Sequence, residues 1–213
     1  MKKQILTAAL LSLLSAGLTA AELTVAATPV PHGDILRLVA PDLKAQGYDL
    51  KVVEFSDFVS PNIALDAKEV TANYYQHKPF LDDAVKSRGL KIASVAPIHI
   101  LPMAAYSKRI KSLNDLPKGA RISIPNDPAN GGRALRVLAD AGIFGLKDGV
   151  GVNGTPADIV NNAKNVKILE MEAAVLPRTL DDVDYAVINS NFALSVGLNP
   201  TKDSLFTEAK DSP

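Results

Sequence analysis

The chain has 213 residues and a balanced formal charge, with 23 lysines and arginines against 23 aspartates and glutamates, and it contains no cysteine. The missing cysteine excludes disulfides, thiolate metal sites, cysteine nucleophiles and lipidation of an N-terminal cysteine. Basic residues are scattered among acidic ones and only 5% of the residues are aromatic. This composition argues against nucleic-acid binding, which needs a basic face.

The first 21 residues have the layout of a secretory signal peptide. Lys2 and Lys3 precede an apolar stretch over residues 5–18, and the small residues Thr19, Ala20 and Ala21 follow it. No later segment approaches the run of about 20 apolar residues that a membrane-spanning helix needs. The sequence therefore predicts cleavage after Ala21 and a soluble periplasmic protein, whose mature part is about two units negative.

Strands and helices alternate along the rest of the chain. Strands are predicted from short β-prone runs at residues 23–27, 50–55, 70–74, 120–124, 166–170 and 185–188. Helices are predicted at residues 34–45, 61–67, 79–88, 130–141, 156–161, 177–182 and 192–196. Alternation of this kind indicates an α/β protein with a mainly parallel sheet and helices on its faces.

A basic, polar stretch from Ser107 to Asp115 separates two such α/β halves. We interpret it as a crossing between two lobes, with residues 22–106 and 193–213 in the first lobe and 107–192 in the second. Because α/β lobes place ligands at the carboxyl ends of their strands, a cleft between the lobes is the expected binding site.

Polar and aromatic residues follow the predicted strand at 70–74, just before a helix that begins with a proline. Tyr75 and His77 lie in this cluster, and strand ends of this type face ligands. The residues alone leave a local alternative open, in which Tyr75 packs in the lobe and His77 caps the helix.

A second cluster lies between the strand at 120–124 and the helix at 130–141. It contains two glycines, which permit close backbone approach, and Arg133 near the helix start. The free N–H groups of a helix N-terminus and a planar guanidinium both suit a carboxylate, and they suit a phosphate equally well. A capped helix with a surface arginine is the alternative.

Asn189 ends the apolar strand at 185–188. A side-chain amide both donates and accepts, so it suits a zwitterion, although Asn189 closing a turn explains the pattern as well. No nucleophile elbow and no zinc spacing among His32, His77 and His99 is present. We therefore predict no enzyme activity, no catalytic residue, no metal site and no cofactor.

The sequence closely resembles the methionine-binding proteins of the NlpA lipoprotein family, from Leu23 to Pro213. Long motifs carry the resemblance: Thr28-Pro29-Val30-Pro31-His32, Glu54-Phe55-Ser56-Asp57-Phe58-Val59-Ser60-Pro61-Asn62, Gln76-His77-Lys78-Pro79-Phe80-Leu81-Asp82, Tyr106-Ser107-Lys108, Pro125-Asn126-Asp127-Pro128, Gly132-Arg133-Ala134-Leu135, Leu176-Pro177-Arg178 and Ala186-Val187-Ile188-Asn189.

The resemblance implies a two-lobed periplasmic binding protein fold, similar to type II, that closes around one free amino acid and acts as a monomer. Arg133 resembles the arginine that grips the ligand carboxylate, Asn189 the asparagine that holds the amino-acid backbone, and His77 the pocket histidine. Tyr75 stands where the family commonly has Phe, and Phe58 where it commonly has Tyr. These two rings would flank a thioether, since sulfur packs favourably near ring edges.

Two departures from the family pattern stand out. Family members are usually lipoproteins, whereas no cysteine follows this signal peptide. The sequence also stops at Asp211-Ser212-Pro213, inside a family motif, so the resemblance implies that the C-terminal part of the first lobe is missing.

The leading functional hypothesis is capture of L-methionine and its delivery to the membrane permease of a methionine ABC importer. Alternatives are a binder of another amino acid or of a methionine-containing dipeptide, and a surface antigen with a vestigial pocket. An exported hydrolase is disfavoured, because the sequence has no nucleophile motif.

Overall fold

The computed structural model describes residues 20–209 as a mixed α/β protein, as the sequence predicts. Its strands are β1 (Ala21–Ala27), β2 (Tyr48–Glu54), β3 (Ala72–Tyr74), β4 (Met103–Tyr106), β5 (Arg121–Pro125), β6 (Gly145–Leu146), β7 (Ile159–Val160), β8 (Lys167–Met171), β9 (Tyr185–Asn189) and β10 (Phe206–Thr207). Its α-helices are α1 (Asp34–Ala45), α2 (Ser60–Asp66), α3 (Lys78–Arg88), α4 (Pro128–Asp140), α5 (Leu176–Thr179) and α6 (Ser190–Ser195).

Two larger sheets organise these elements. The first is a parallel three-stranded sheet in the order β2-β1-β3. The second has five strands in the order β10-β4-β9-β5-β8, with β5 parallel to both β8 and β9 and β4 antiparallel to β9. The short strands β6 and β7 form an antiparallel pair.

The largest hydrophobic core lies between the second sheet and α4. Leu135 and Leu138 of α4 and Ile122 and Ile124 of β5 are fully buried there. Complete burial of such side chains stabilises the fold by about 1.5–3 kcal/mol each. This packing holds α4 rigidly against the ends of the strands beside it, which places the first turn of α4 at the candidate site.

Local sequence signals explain where the helices next to the site begin and end. The side chain of Asp127 accepts a hydrogen bond from the backbone N–H of Asn130 at 2.8 Å and so caps α4. His77 caps α3, which has a proline in its first turn and is closed by Gly89 at a φ of 68°. Each cap residue therefore sits at the entrance of a helix that borders the candidate site.

Most predicted elements are found within one or two residues of their predicted bounds, and α1 has the predicted bounds. The helix predicted at 156–161 is wrong. A 3-10 turn at Pro156–Asp158 is followed there by β7. The Asp158 carboxylate accepts the Thr155 backbone N–H at 3.0 Å, and pairing with β6 then draws the chain into an extended form.

The predicted lobe limits, 22–106 with 193–213 and 107–192, remain a prediction; β4 and β10, assigned by that division to the first lobe, pair within the second sheet. The predicted signal peptide lies outside the described residues except for Ala20 and Ala21. In the described part of the chain, no helix has the length and apolarity needed to cross a bilayer.

Candidate ligand-binding site

A cavity of about 50 Å³, partly open to solvent, lies where α3, α4 and β9 meet. The cavity is lined by His32, Phe58, Tyr75, Gln76, His77, Phe80, His99, Ile100, Leu101, Asn130, Arg133, Asn189, Ser190 and Asn191. All five residues predicted as ligand contacts line this one cavity, and their role in binding stays a prediction.

A hydrogen-bonded network joins three of the polar lining residues. His77 Nε2 lies 2.9 Å from Asn130 Oδ1, and Asn189 Nδ2 donates to the same oxygen at 2.8 Å. Asn130 therefore connects the entrances of α3 and α4 to the end of β9. We did not predict Asn130 as a site residue, although it lies inside the cluster that the sequence singled out.

Asp127 sets the orientation of this network. Asn130 Nδ2 donates to the two Asp127 carboxylate oxygens at 3.0 and 3.1 Å, so Asn130 Oδ1 must point toward His77 and Asn189. Burial raises the pKa of Asp127, and its hydrogen bonds from Asn130 oppose that shift.

The hydrogen bonds of His77 identify its neutral tautomer. Nδ1 accepts the backbone N–H of Phe80 at 3.3 Å, so Nε2 carries the proton and donates to Asn130. Burial lowers the pKa of His77, and the hydrogen bond to Asn130 partly offsets that effect. The ring is therefore neutral at pH 7 and serves as a positioning donor.

Asn189 presents a buried acceptor that no described residue satisfies. The residue is only 6% exposed, and its Oδ1 has no hydrogen-bond partner within residues 20–209. Because Nδ2 is held by Asn130, Oδ1 is the amide atom that remains for a ligand in the cavity that Asn189 lines. A buried polar atom without a partner is costly, and a ligand N–H placed there would remove that cost.

Arg133, in the second turn of α4, already holds a carboxylate. Its Nε donates to Glu208 Oε1 at 2.8 Å, and Nη2 donates both to Glu208 Oε2 and to the backbone oxygen of Leu101. The Arg133 and Glu208 side chains are 11% and 4% exposed. We did not predict Glu208, because 75 residues separate it from Arg133 and no local pattern links the two.

Aromatic rings form one wall of the cavity and pack behind it. The ring of Phe58 lies 5.9 Å from Tyr75, 5.8 Å from Phe80 and 4.8 Å from Phe192 between centroids. Tyr75 donates its hydroxyl to the backbone oxygen of Phe58 at 2.8 Å, and burial raises the pKa of that hydroxyl. The hydroxyl is thus used within the protein, and the rings of Phe58 and Tyr75 give the cavity an apolar lining.

Two histidines that are distant in the sequence meet at another part of the cavity. The ring centroids of His32 and His99 are 5.3 Å apart, and Tyr74 packs edge-on against both rings. His32 Nδ1 lies 2.7 Å from Thr28 Oγ1. Burial, aided by His99, lowers the pKa of His32 to about 4. Residues 20–209 contain no group of three or more metal-ligating side chains that could hold an ion.

The two glycines near Arg133 serve the protein's own packing. A Cβ added to Gly132 would lie 2.1 Å from the backbone oxygen of Val152, and one added to Gly131 would lie 2.9 Å from that of Pro125. Glycines at these positions were expected to permit close approach of a backbone, and the backbone that approaches them is the protein's own. The backbone N–H of Asn130 in the first turn of α4 likewise goes to the Asp127 cap.

Comparison with known proteins places this site in a family. The NlpA lipoprotein family matches residues 23–213. The D-methionine-binding lipoprotein MetQ of Salmonella typhimurium strain LT2 is 50% identical over 169 residues, which cover 78% of this chain and 62% of the relative. MetQ of Escherichia coli strain K12 is 47% identical over 182 residues, covering 84% and 66%. The chain thus spans less than two thirds of the length of these relatives.

Solved structures agree over most of the chain. A crystal structure of the methionine-binding protein MetQ has a TM-score of 0.86 and 42% identity, covering 90% of this chain and 80% of that one. A nutrient-binding protein from Burkholderia cenocepacia, solved bound to methionine, has a TM-score of 0.85 and 45% identity, covering 90% and 81%. From the match over residues 23–213 and these likenesses, the chain belongs to the NlpA lipoprotein family.

Proposed function

We propose that this protein is a periplasmic substrate-binding protein that captures free L-methionine and delivers it to the membrane permease of an ABC importer. The observation that carries the proposal is the buried Oδ1 of Asn189, which has no partner among residues 20–209, in a cavity that Arg133 also lines. A free amino acid offers the matching pair, an ammonium for the amide oxygen and a carboxylate for the guanidinium. No catalytic step is part of the proposal.

One nitrogen of the Arg133 guanidinium is left for the ligand carboxylate although Glu208 occupies one edge of the group. The Nη1 group of Arg133 makes no hydrogen bond within residues 20–209. The aromatic wall around Phe58 and Tyr75 would receive the thioether, where sulfur–ring contacts contribute roughly 0.3–1.5 kcal/mol each. Relatives named as methionine-binding, and one solved with methionine bound, support this assignment.

Calorimetric titration of refolded, ligand-free protein tests the proposal, with L- and D-methionine compared because curated relatives are named for the D form. Asn189→Ala removes a hydrogen bond to a charged group, worth about 1.5–3 kcal/mol, so methionine affinity should fall roughly 10- to 100-fold. The exposed Asn114→Ala is the matched control. The proposal is refuted if neither enantiomer gives a heat of binding, or if Asn189→Ala binds methionine as tightly as wild type.

A longer ligand is the second candidate, because the cavity extends from Asn189 and Arg133 to His32 and His99. The alternatives are a methionine-containing dipeptide and another amino acid. Native mass spectrometry of the protein as purified separates these by the mass of the retained ligand. If no amino acid or dipeptide raises the melting temperature, the pocket is vestigial, since a ligand specific for the native state must stabilise it.

Periplasmic location without a lipid anchor also remains a prediction. It rests on the signal-like residues 1–21 and on the cysteine-free sequence, whereas the relatives are named lipoproteins. Cell fractionation and intact-mass measurement of the mature chain test it, as gel filtration tests the predicted monomer. Recovery in the membrane fraction, or an added lipid mass, would contradict it.

A further inference from the structure

The Arg133–Glu208 pair is a two-pronged ion pair at the edge of the candidate site, where Arg133 lines the cavity and Glu208 holds it. Two guanidinium nitrogens of Arg133 donate to the two carboxylate oxygens of Glu208, an arrangement that fixes geometry as well as charge. Both side chains are almost fully buried. The positive charge that would attract an anionic ligand is therefore already compensated before any ligand enters.

The second sheet holds Glu208 in this position. Met103 N–H donates to Glu208 Oε2 at 2.9 Å, and the Glu208 N–H donates to the Met103 backbone oxygen at 2.8 Å. These bonds continue the pairing of β10 with β4. Arg133 is anchored in the same place by its bond to the Leu101 oxygen at 2.8 Å. The pair is thus built from backbone and side-chain contacts together.

No other cation among the described lining residues restores a positive charge. The histidines that line the cavity all have lowered pKa values, principally because of burial, so their rings are neutral at pH 7. Asp127 is the other acidic residue next to the network, and its carboxylate is bound by Asn130 and does not line the cavity. The cavity thus carries Arg133 with its compensating carboxylate, and one unsatisfied acceptor on Asn189.

We propose that Glu208 is a specificity-determining residue, which makes the site select a zwitterionic amino acid over an anion of the same shape. Glu208 repels a ligand carboxylate and attracts a ligand ammonium, so only a ligand that carries both charges binds without a net electrostatic penalty. This inference rests on the proposed function, because it concerns the ligand class of the same site.

The test compares L-methionine with L-2-hydroxy-4-(methylthio)butanoate, which has a hydroxyl in place of the ammonium and a net negative charge. Dissociation constants for both are measured by calorimetry on wild-type protein and on Glu208→Gln, Glu208→Asp and the exposed control Glu172→Gln. The preference for methionine is the ratio of the two constants. Each ratio is taken within one variant, so a change in the folded fraction cancels.

We expect wild-type protein to prefer methionine and Glu208→Gln to reduce that preference by about tenfold or more, because a nearby unit charge is removed from a low-dielectric site. Glu208→Asp should retain the preference, since it retains the charge, and Glu172→Gln should not change it. An unchanged ratio in Glu208→Gln overturns the inference while the proposed function stands. Wild-type protein that binds neither compound refutes both.

Discussion

Replacing Arg133 by methionine should destabilise the fold strongly even without a ligand. The change removes two hydrogen bonds and a positive charge from the Glu208 carboxylate, whose side chain is only 4% exposed. Removing one partner of a buried ion pair costs about 3–5 kcal/mol, because a charge then stays buried without compensation. The expected loss lies near the upper end of this range, since the Leu101 oxygen also loses its donor.

The partner change, Glu208→Leu, should cost a similar amount, but the double variant Arg133→Met with Glu208→Leu should not. Replacing a buried pair by apolar side chains of similar volume is often neutral or stabilising. The double variant still leaves the Leu101 oxygen and the Met103 N–H without these partners, so we expect it to lie about 2–3 kcal/mol below wild type, well above the level that the sum of the two single losses would give. The coupling between the two positions should be several kcal/mol, as their direct contact requires.

Urea unfolding followed by circular dichroism measures the free energy of unfolding of wild type, the two single variants and the double variant. With a slope of about 2 kcal/mol/M, each single variant should lower the midpoint by roughly 1.5–2.5 M. The exposed pair Lys78–Asp82, whose side chains are 63% and 58% exposed, is the control. Its disruption should change the free energy of unfolding by less than about 1 kcal/mol. Additive losses at Arg133 and Glu208 would show that the two residues do not form this pair.

Two further predictions concern stability. Burial lowers the pKa of His32 from an ordinary value of 6.5 to about 4 in the fold. The unfolded chain therefore binds more protons between these values, and the free energy of unfolding falls by about 2 kcal/mol as the pH is lowered from 7.5 to 5. Denaturation curves of His32→Asn should show a flatter pH dependence, and an equally steep one would contradict this. Gly132→Ala places a Cβ 2.1 Å from the Val152 oxygen and should lower the melting temperature by several degrees. Gly151→Ala, which meets open space, should leave it unchanged, and equal melting temperatures for both variants would refute the steric argument.

The sequence predicted the site best where a local pattern carries the information. His77 and Asn189 each follow an apolar strand, and Arg133 stands just inside an amphipathic helix. The resemblance to a family then joined these positions into one pocket. Phe58 and Tyr75 were found in the same way, and their rings do lie together, 5.9 Å apart.

The residues that the sequence did not indicate are those whose role depends on long-range contacts. Glu208 meets Arg133 only because β10 pairs with β4, and nothing in the polar stretch around Glu208 predicts that pairing. The local sequence around Asn130 indicates only a residue in the first turn of a helix. In the fold, its Oδ1 joins His77 to Asn189.

The sequence by itself determined most of the alternation of strands and helices, the end of α3 at Arg88, and the family, because these depend on hydrophobic periodicity, caps and contiguous motifs. Only the tertiary structure decided that the charge of Arg133 is compensated and that one amide oxygen of Asn189 is left without a partner within residues 20–209. Charge compensation and hydrogen-bond satisfaction are properties of atoms that meet across the fold, so no local pattern records them.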